Sequence, residues 1–162
     1  MNLAISAPQW LALVLAVLLI AAAIEDGIRL RISNITVGLV LAGAIVAALV
    51  VGPQLALWKN LVVFLALLAV GTPMFAARKL GGGDVKLLAA TGLWFDFHGA
   101  LWMLICVALA GGVLALIVLI LRAFSWSEKL RERVVLLRPR AGIPYGVAIA
   151  SGALIAMWLE RV

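Results

Sequence analysis

Apolar runs long enough to cross a lipid bilayer recur along the chain, with only short polar connections between them. The runs at 8–24, 35–51 and 61–77 contain 17 residues each, and those at 100–121 and 141–159 are longer. A hydrocarbon core about 30 Å thick is crossed by about 20 helical residues. The 17-residue runs therefore need a few flanking residues to complete a crossing. This pattern predicts an all-α integral membrane protein.

One further apolar run, between Asp84 and Asp96, contains only 11 residues. At about 1.5 Å per residue it covers roughly half of a hydrocarbon core, so it crosses only by recruiting residues 80–83. Irregular backbone at that depth needs protein or a watery cavity around it. We therefore predict six transmembrane helices in a single domain spanning 1–162. A short helix follows the Gly81-Gly82-Gly83-Asp84 turn, and a hydrated pocket lies at that turn.

The composition excludes a soluble globular chain and several kinds of site. Hydrophobic residues make up 67% of the chain and charged residues 12%, and the mean hydropathy is +1.25. The net charge of +6 is interpreted as topology and affinity for anionic membrane lipid, with no nucleic-acid partner expected. The single cysteine, Cys106, excludes an intramolecular disulfide and a multi-cysteine zinc site. No metal and no cofactor are expected.

Eleven of the 13 basic residues lie in or beside the first, third and fifth connections between the apolar runs. They are Arg29, Arg31, Arg78, Lys79, Lys86, Arg122, Lys129, Arg131, Arg133, Arg138 and Arg140. Because cytoplasmic connections collect Lys and Arg, this asymmetry places the odd connections in the cytoplasm and both termini outside it. Asp26 and Asp84 then lie at the same, cytoplasmic end of the bundle.

The connection at about 122–140 is the one long polar stretch. Trp126, Leu130, Val134 and Leu137 recur on one side of a helix, and basic residues supply the other side. Two interpretations remain open. The connection is either an amphipathic helix lying on an anionic membrane surface or a solvated helix that packs on the bundle.

Asp26 and Asp84 are the two candidate functional acids. An acid at membrane depth is costly unless it is paired, hydrated or in use, which makes it a functional-site hypothesis. The glycines at 81–83 would let a substrate backbone approach Asp84 closely. Each acid also has a simpler explanation. Asp84 could cap the helix that follows it, and Asp26 could pair with Arg29 or Arg31.

Two carboxylates in one pocket share a proton, and this suits them to hydrolyse a peptide bond. The ionised acid acts as general base on a water molecule while the protonated acid polarises the scissile carbonyl. The only histidine, His98, falls on the opposite side, so no serine or cysteine near the acids has a histidine base. Glu25 is expected to face away from Asp26, because adjacent helical residues point about 100° apart. Lys86 and Asn34 are candidates for contact with substrate or lipid.

These residues resemble the motifs of one family of membrane proteases. Gly81-Gly82-Gly83-Asp84 is similar to the GxGD signature of type IV prepilin peptidases, which are integral-membrane aspartic proteases. Asp26 followed by Ile32-Ser33-Asn34 resembles that family's first motif, in which Ile-Pro-Asn follows the acid and proline stands where this chain has Ser33. Ile143-Pro144-Tyr145-Gly146 resembles the start of the last helix in short members that serve Flp/Tad-type pili.

The resemblance implies a catalytic pair of Asp26 and Asp84 that removes the basic leader from a type IV prepilin at the cytoplasmic face of the inner membrane. The product serves pilus assembly or type II-like secretion. Larger members carry a cysteine-rich zinc domain and also N-methylate the product. This chain lacks those cysteines, so peptidase activity without methylation is expected. The alternative is a small proton- or cation-coupled transporter that uses the same two acids. The oligomeric state is left open.

Overall fold

The computed structural model describes residues 1–124, 126–127, 134 and 142–161, and the chain is helical through most of these ranges. In chain order the elements are α1 (Leu3–Ser6), α2 (Gln9–Arg29), α3 (Asn34–Val51), a 3₁₀ turn (Leu55–Leu57), α4 (Trp58–Ala76), α5 (Gly82–Gly92), α6 (Phe97–Ala123) and α7 (Tyr145–Leu159). Most of the predicted amphipathic connection at 122–140 lies outside the described residues.

Four stretches of the described chain are long and apolar enough to cross a membrane. They are Gln9–Arg29, Asn34–Val51, Leu55–Ala76 and Phe97–Ala123. The prediction of an all-helical membrane protein is therefore confirmed, whereas the count of six spans is not. Helices α5 and α7 have 11 and 15 residues, which is short of a full crossing without their flanking segments.

Three helix boundaries differ from the sequence prediction. Helix α2 continues to Arg29 and so contains Asp26, because its polar end finds hydrogen-bond partners on other elements. Helix α5 begins at Gly82, so the predicted short helix starts inside the glycine turn and not after it. Pro144 precedes the first residue of α7, whereas the sequence placed it in the first turns of that helix. Proline is well suited to this position because it lacks the N–H donor.

Helix α5 lies among α3, α4 and α7. Gly71 of α4 leaves room for the Val85 side chain, since a Cβ at Gly71 would overlap it. At the other end of α5, the buried Trp94 indole donates to the Val40 carbonyl of α3 at 3.0 Å. Ala4 of α1 donates its N–H to the Trp94 carbonyl at 3.1 Å. These contacts hold α5 at a fixed depth, with Asp84 at its first turn.

Helix α7 is held closely between α6 and α2. At Gly152 the backbone of α7 approaches the Val107 backbone of α6 so closely that no side chain fits between them. At the start of α7, Gly146 is equally close to Asp26 of α2. Small residues at helix interfaces allow this approach in membrane proteins. The first turn of α7 is thereby placed against the last turns of α2.

Candidate active site

Asp26 lies in the last turns of α2 with only 3% of its surface exposed. Its Oδ2 atom accepts a hydrogen bond of 2.6 Å from the Gly146 N–H. The Val147 N–H also interacts with the carboxylate. Both N–H groups belong to the first turn of α7, where the helix dipole favours a negative charge, and the Val147 N–H also donates to the Pro144 carbonyl at 3.2 Å. In the described part of the chain, neither Arg29 nor Arg31 forms an ion pair with Asp26.

Asp84 occupies the third position of α5 and is partly buried. Its Oδ2 atom accepts a hydrogen bond of 3.2 Å from the Gly81 N–H, so the side chain reaches back over the helix start. The Gly146 N–H also interacts with this carboxylate. Asp84 and Asp26 are close enough to interact electrostatically. The first turn of α7 therefore contacts both acids.

Both carboxylates line one cavity of about 410 Å³. The remaining walls come from the end of α2, the segment after α4 and the start of α7. Its lining residues include Leu30, Phe75, Arg78, Lys79, Gly142 and Tyr145. The cavity has room for several water molecules beside a peptide segment. The sequence did not single out Arg78 and Lys79 as cavity residues.

The glycines around the acids provide space. A Cβ at Gly81 would lie 2.7 Å from the Asp84 carboxylate, and a Cβ at Gly83 would lie 3.2 Å from Ile32. A Cβ at Gly146 would meet Asp26 at 2.9 Å and Ile32 at 2.8 Å. Ile32 therefore touches the glycines beside both acids. It lies between Gly83, which precedes Asp84, and Gly146, which contacts Asp26.

Glu25 has a different environment from its neighbour Asp26. Its Oε2 atom accepts hydrogen bonds from the Ser33 N–H and the Thr36 hydroxyl, both at 3.0 Å. The Ser33 hydroxyl in turn accepts from the Thr36 N–H at 3.1 Å, as the N-cap of α3. This network, the Glu25–Ser33–Thr36 clamp, fixes the turn that carries Ile32. Glu25 thus faces the α2–α3 turn and does not line the cavity.

The other candidate residues lie apart from the cavity. Lys86 Nζ donates to Asn34 Oδ1 at 3.0 Å, so the two predicted contact residues bind each other across α5 and α3. Neither residue lines the cavity that holds the acids. His98 belongs to the opposite end of the bundle, where it shares a different cavity with Asp96 and Glu160. Within the described residues, no group of three or more His, Cys, Asp or Glu side chains is arranged to hold a metal ion.

Gly146 is the site residue whose role the sequence analysis missed. Its N–H donates to Asp26, yet the sequence indicated Gly146 only as part of the start of the last helix. The available signal was Pro144, since proline favours the first turn of a helix and so marks where free N–H groups will lie. Which acid these groups would meet depends on a contact 120 residues apart in the chain.

A buried and a partly buried carboxylate that line one cavity can exchange protons with a water molecule and a carbonyl group. No curated protein and no solved structure matches the chain significantly. The family model described as the type IV leader peptidase family matches residues 13–118. That range is more than half of the chain and includes both Asp26 and Asp84, and the chain therefore belongs to the type IV leader peptidase family.

Proposed function

We propose that this protein is a membrane-embedded aspartic endopeptidase that removes the basic leader from type IV prepilins of the Flp/Tad kind. Asp26 and Asp84 are the catalytic residues. The observation that carries the proposal is that the two acids, 58 positions apart in the sequence, line one cavity, and that Asp26 is held there by the Gly146 N–H. The family to which the chain belongs supplies the substrate class.

Hydrolysis by this pair needs one water and one proton held between the two carboxyl groups. The carboxylate takes a proton from water, the water oxygen bonds to the scissile carbonyl carbon, and the carboxylic acid gives its proton to the carbonyl oxygen. The neutral gem-diol then returns one hydroxyl proton to the group that gave its proton to the carbonyl oxygen. The group that took the proton from water protonates the amide nitrogen as the C–N bond breaks. The products are a carboxylic acid and an amine, and the pair again holds one proton.

The Gly146 and Val147 N–H groups hold Asp26 in place through this cycle. Preorganised donors of this kind stabilise charge without having to reorient during the reaction. Burial of Asp26 keeps bulk water from competing for its hydrogen bonds. The involvement of Gly146 also agrees with the resemblance of residues 143–146 to the short Flp/Tad-type members. We expect peptidase activity without N-methylation.

The topology belongs to the same proposal. Six segments of one domain cross the cytoplasmic membrane, and α5 and α7 depend for their crossings on residues that flank them, at 80–81, 93–95 and 142–144. The charge asymmetry supports termini outside the cytoplasm and the cavity at its cytoplasmic face. Arg78 and Lys79, which line the cavity, also belong to the basic side of this asymmetry. The product enters pilus assembly or type II-like secretion.

Cleavage of a Flp-type precursor in liposomes tests the proposal. We expect Asp26→Asn and Asp84→Asn each to lower cleavage by at least about 1,000-fold, because neither half of the proton exchange works with an amide. The matched control is Asp96→Asn, at the opposite end of the bundle, since asparagine retains the helix-capping ability of the aspartate. This control should cleave within about twofold of the wild type.

The results of these experiments distinguish the peptidase from the transporter alternative. If either site variant is well folded and keeps near-normal cleavage, the catalytic pair is wrong. If the wild type cuts no precursor but both acids are required for proton or cation flux into liposomes, the transporter alternative replaces the peptidase. Mass spectrometry of the cleaved product in the presence of S-adenosylmethionine tests the absence of methylation, and a gain of one methyl group would contradict it.

A further inference from the structure

A second cavity, of about 390 Å³, opens directly beside the site between α5, α6 and α7. Helices α5 and α6 both pack against α7 but scarcely contact each other, so they form two walls with α7 between them as the floor. We call this space the α5–α6 groove. Its lining is apolar except for Asp84 and Tyr145.

The α5–α6 groove is continuous with the cavity that holds the acids. Leu80, Asp84 and Tyr145 line both spaces. Leu88 continues the α5 wall one turn beyond Asp84. An elongated apolar molecule in the groove would therefore have one end beside the Asp84 carboxylate.

Apart from Val107 at one end, the α6 wall consists of small residues over two helical turns, which is about 10 Å. They are Ala108, Gly111, Gly112 and Ala115. Among the described residues, a Cβ at Gly112 would meet nothing within 4 Å, and one at Gly111 would make only an ordinary contact with Ala148 at 3.6 Å. Packing inside the described chain thus requires neither glycine, although glycine costs helix stability. Small residues on one helix do allow a second helix to approach closely.

We propose that the α5–α6 groove holds the apolar helix of the precursor, with the end of that helix next to Asp84. This proposal rests on the proposed function, and it adds the substrate-binding surface. The small α6 wall accepts a helix at short distance, while the shared residues deliver the peptide bond just outside that helix to the two acids. A lipid acyl chain would fill the same apolar space without presenting a peptide bond.

The first test compares two substrates. One is the full precursor, and the other is a short peptide that spans the cleavage site but lacks the apolar helix. Gly112→Leu fills the groove and should raise KM for the full precursor at least about 10-fold, while cleavage of the short peptide stays within about twofold of the wild type. The matched control, Gly38→Leu, places the same side chain at another open helical glycine, on α3, and should affect neither substrate.

The second test is independent of turnover. In a Cys106→Ala, Asp84→Asn background, Gly112→Cys should form a disulfide with a cysteine placed in the precursor helix when a copper–phenanthroline oxidant is added. Gly38→Cys in the same background should not. This measurement decides the question if Gly112→Leu does not fold.

Failure of the groove and failure of the function give different results. If the wild type cleaves the precursor, Gly112→Leu cleaves it equally well and Gly112→Cys gives no crosslink, the groove proposal is overturned and the peptidase stands. In that case the groove is lipid-filled. If the wild type cleaves no precursor, the proposed function fails, and the crosslink alone still reports whether the groove binds the helix.

Discussion

The two ends of the helical bundle each bring two acids together, but they give those acids different partners. At one end, within the part of the chain that the structure describes, Asp26 and Asp84 receive only backbone N–H groups, from Gly81 and from the start of α7. At the other end Asp96 forms an ion pair with the N-terminal ammonium at 3.3 Å and accepts the Gly99 N–H at 3.1 Å. Glu160 accepts a hydrogen bond from Asn2 and lies 3.7 Å from His98.

These partners distinguish the pair of acids proposed to be catalytic from the pair at the other end. The cavity beside Asp96 and Glu160 is the larger of the two, at about 570 Å³. Its acids are nevertheless engaged by the N-terminal ammonium, the Asn2 amide and the Gly99 N–H, which fix their position. The carboxyl groups of Asp26 and Asp84 have no cationic partner among the described residues, so they remain available to exchange protons with a bound water. Cavity size alone therefore does not identify the pair of acids proposed to be catalytic.

Among the substitutions that test this difference between the two ends, Gly146→Ala should have the largest effect on kcat. A Cβ there would lie 2.9 Å from Asp26 and 2.8 Å from Ile32, so the carboxylate and its 2.6 Å hydrogen bond must shift. Because small displacements of catalytic groups are costly, we expect kcat for leader cleavage to fall by about 10- to 100-fold. Cleavage by purified protein in liposomes measures it.

Gly99→Ala is the matched control at the other end. Its Cβ would lie 2.7 Å from the Asn2 amide and 3.0 Å from Glu160, so it crowds one acid of its pair, as a Cβ at Gly146 crowds Asp26. We expect Gly99→Ala to lower the melting temperature and to leave kcat within about twofold of the wild type. Equal losses of kcat in both variants would show that the two ends are not functionally different.

The second prediction concerns the Glu25–Ser33–Thr36 clamp, which lies beside Asp26 at the end of α2. Glu25→Ala removes the acceptor of two hydrogen bonds and loosens the turn that carries Ile32. A loss of about 1 kcal/mol in positioning corresponds to a fall in kcat of about 3- to 10-fold. Glu25 contacts no reacting atom, so this effect arises through the position of Ile32.

Rescue by proline distinguishes positioning from a general loss of stability. The backbone φ of Ser33 is −71°, which suits proline, although the wild-type N–H donates to Glu25 and proline has none. In the Glu25→Ala background that donor has lost its partner, so Ser33→Pro should stiffen the turn and recover part of kcat. The same substitution in the otherwise wild-type chain should lower kcat. If both backgrounds respond alike, the clamp does not position the site.

The parts of the fold that follow from local pattern were predictable from the sequence. Helix α3 was predicted at 35–51 and spans Asn34–Val51, because a run of apolar residues ends at Gly52 and Pro53. The order of apolar runs and polar connections also predicted that Asp26 and Asp84 lie at the same end of the bundle. Both results depend on hydropathy and chain order alone.

The remainder depended on contacts between distant segments. The hydropathy of the first run stops at Ile24, yet α2 continues to Arg29 because Glu25 and Asp26 bond to the α2–α3 turn and to α7. The four-residue α1 carries no periodic pattern and is held by the Trp94 carbonyl. A local pattern contains no information about such partners.

The smallest predicted effect concerns the pair of Asp96 and Glu160 and the dependence of the protein's stability on pH. Burial and the nearby Asp96 carboxylate raise the pKa of Glu160 above its usual value of 4.5. The folded protein thus binds the Glu160 proton more tightly than the unfolded chain does. The stabilisation of the folded state by this proton is fully present below about pH 4.5, and it is lost as the pH rises through the pKa that Glu160 has in the folded protein. His98 and Asn2 reduce this effect but do not reverse it.

Glu160→Gln removes that titration and retains an acceptor for Asn2. The variant and the wild type should therefore have the same melting temperature at pH 4, and the variant should melt up to about 3 °C higher at pH 7.5. Thermal unfolding in detergent at the two pH values measures the difference. Leader cleavage should not change at all. A variant that melts below the wild type at pH 7.5 would show that the ionised Glu160 stabilises this end, and a variant with reduced cleavage would show that this pair of acids is more than structural.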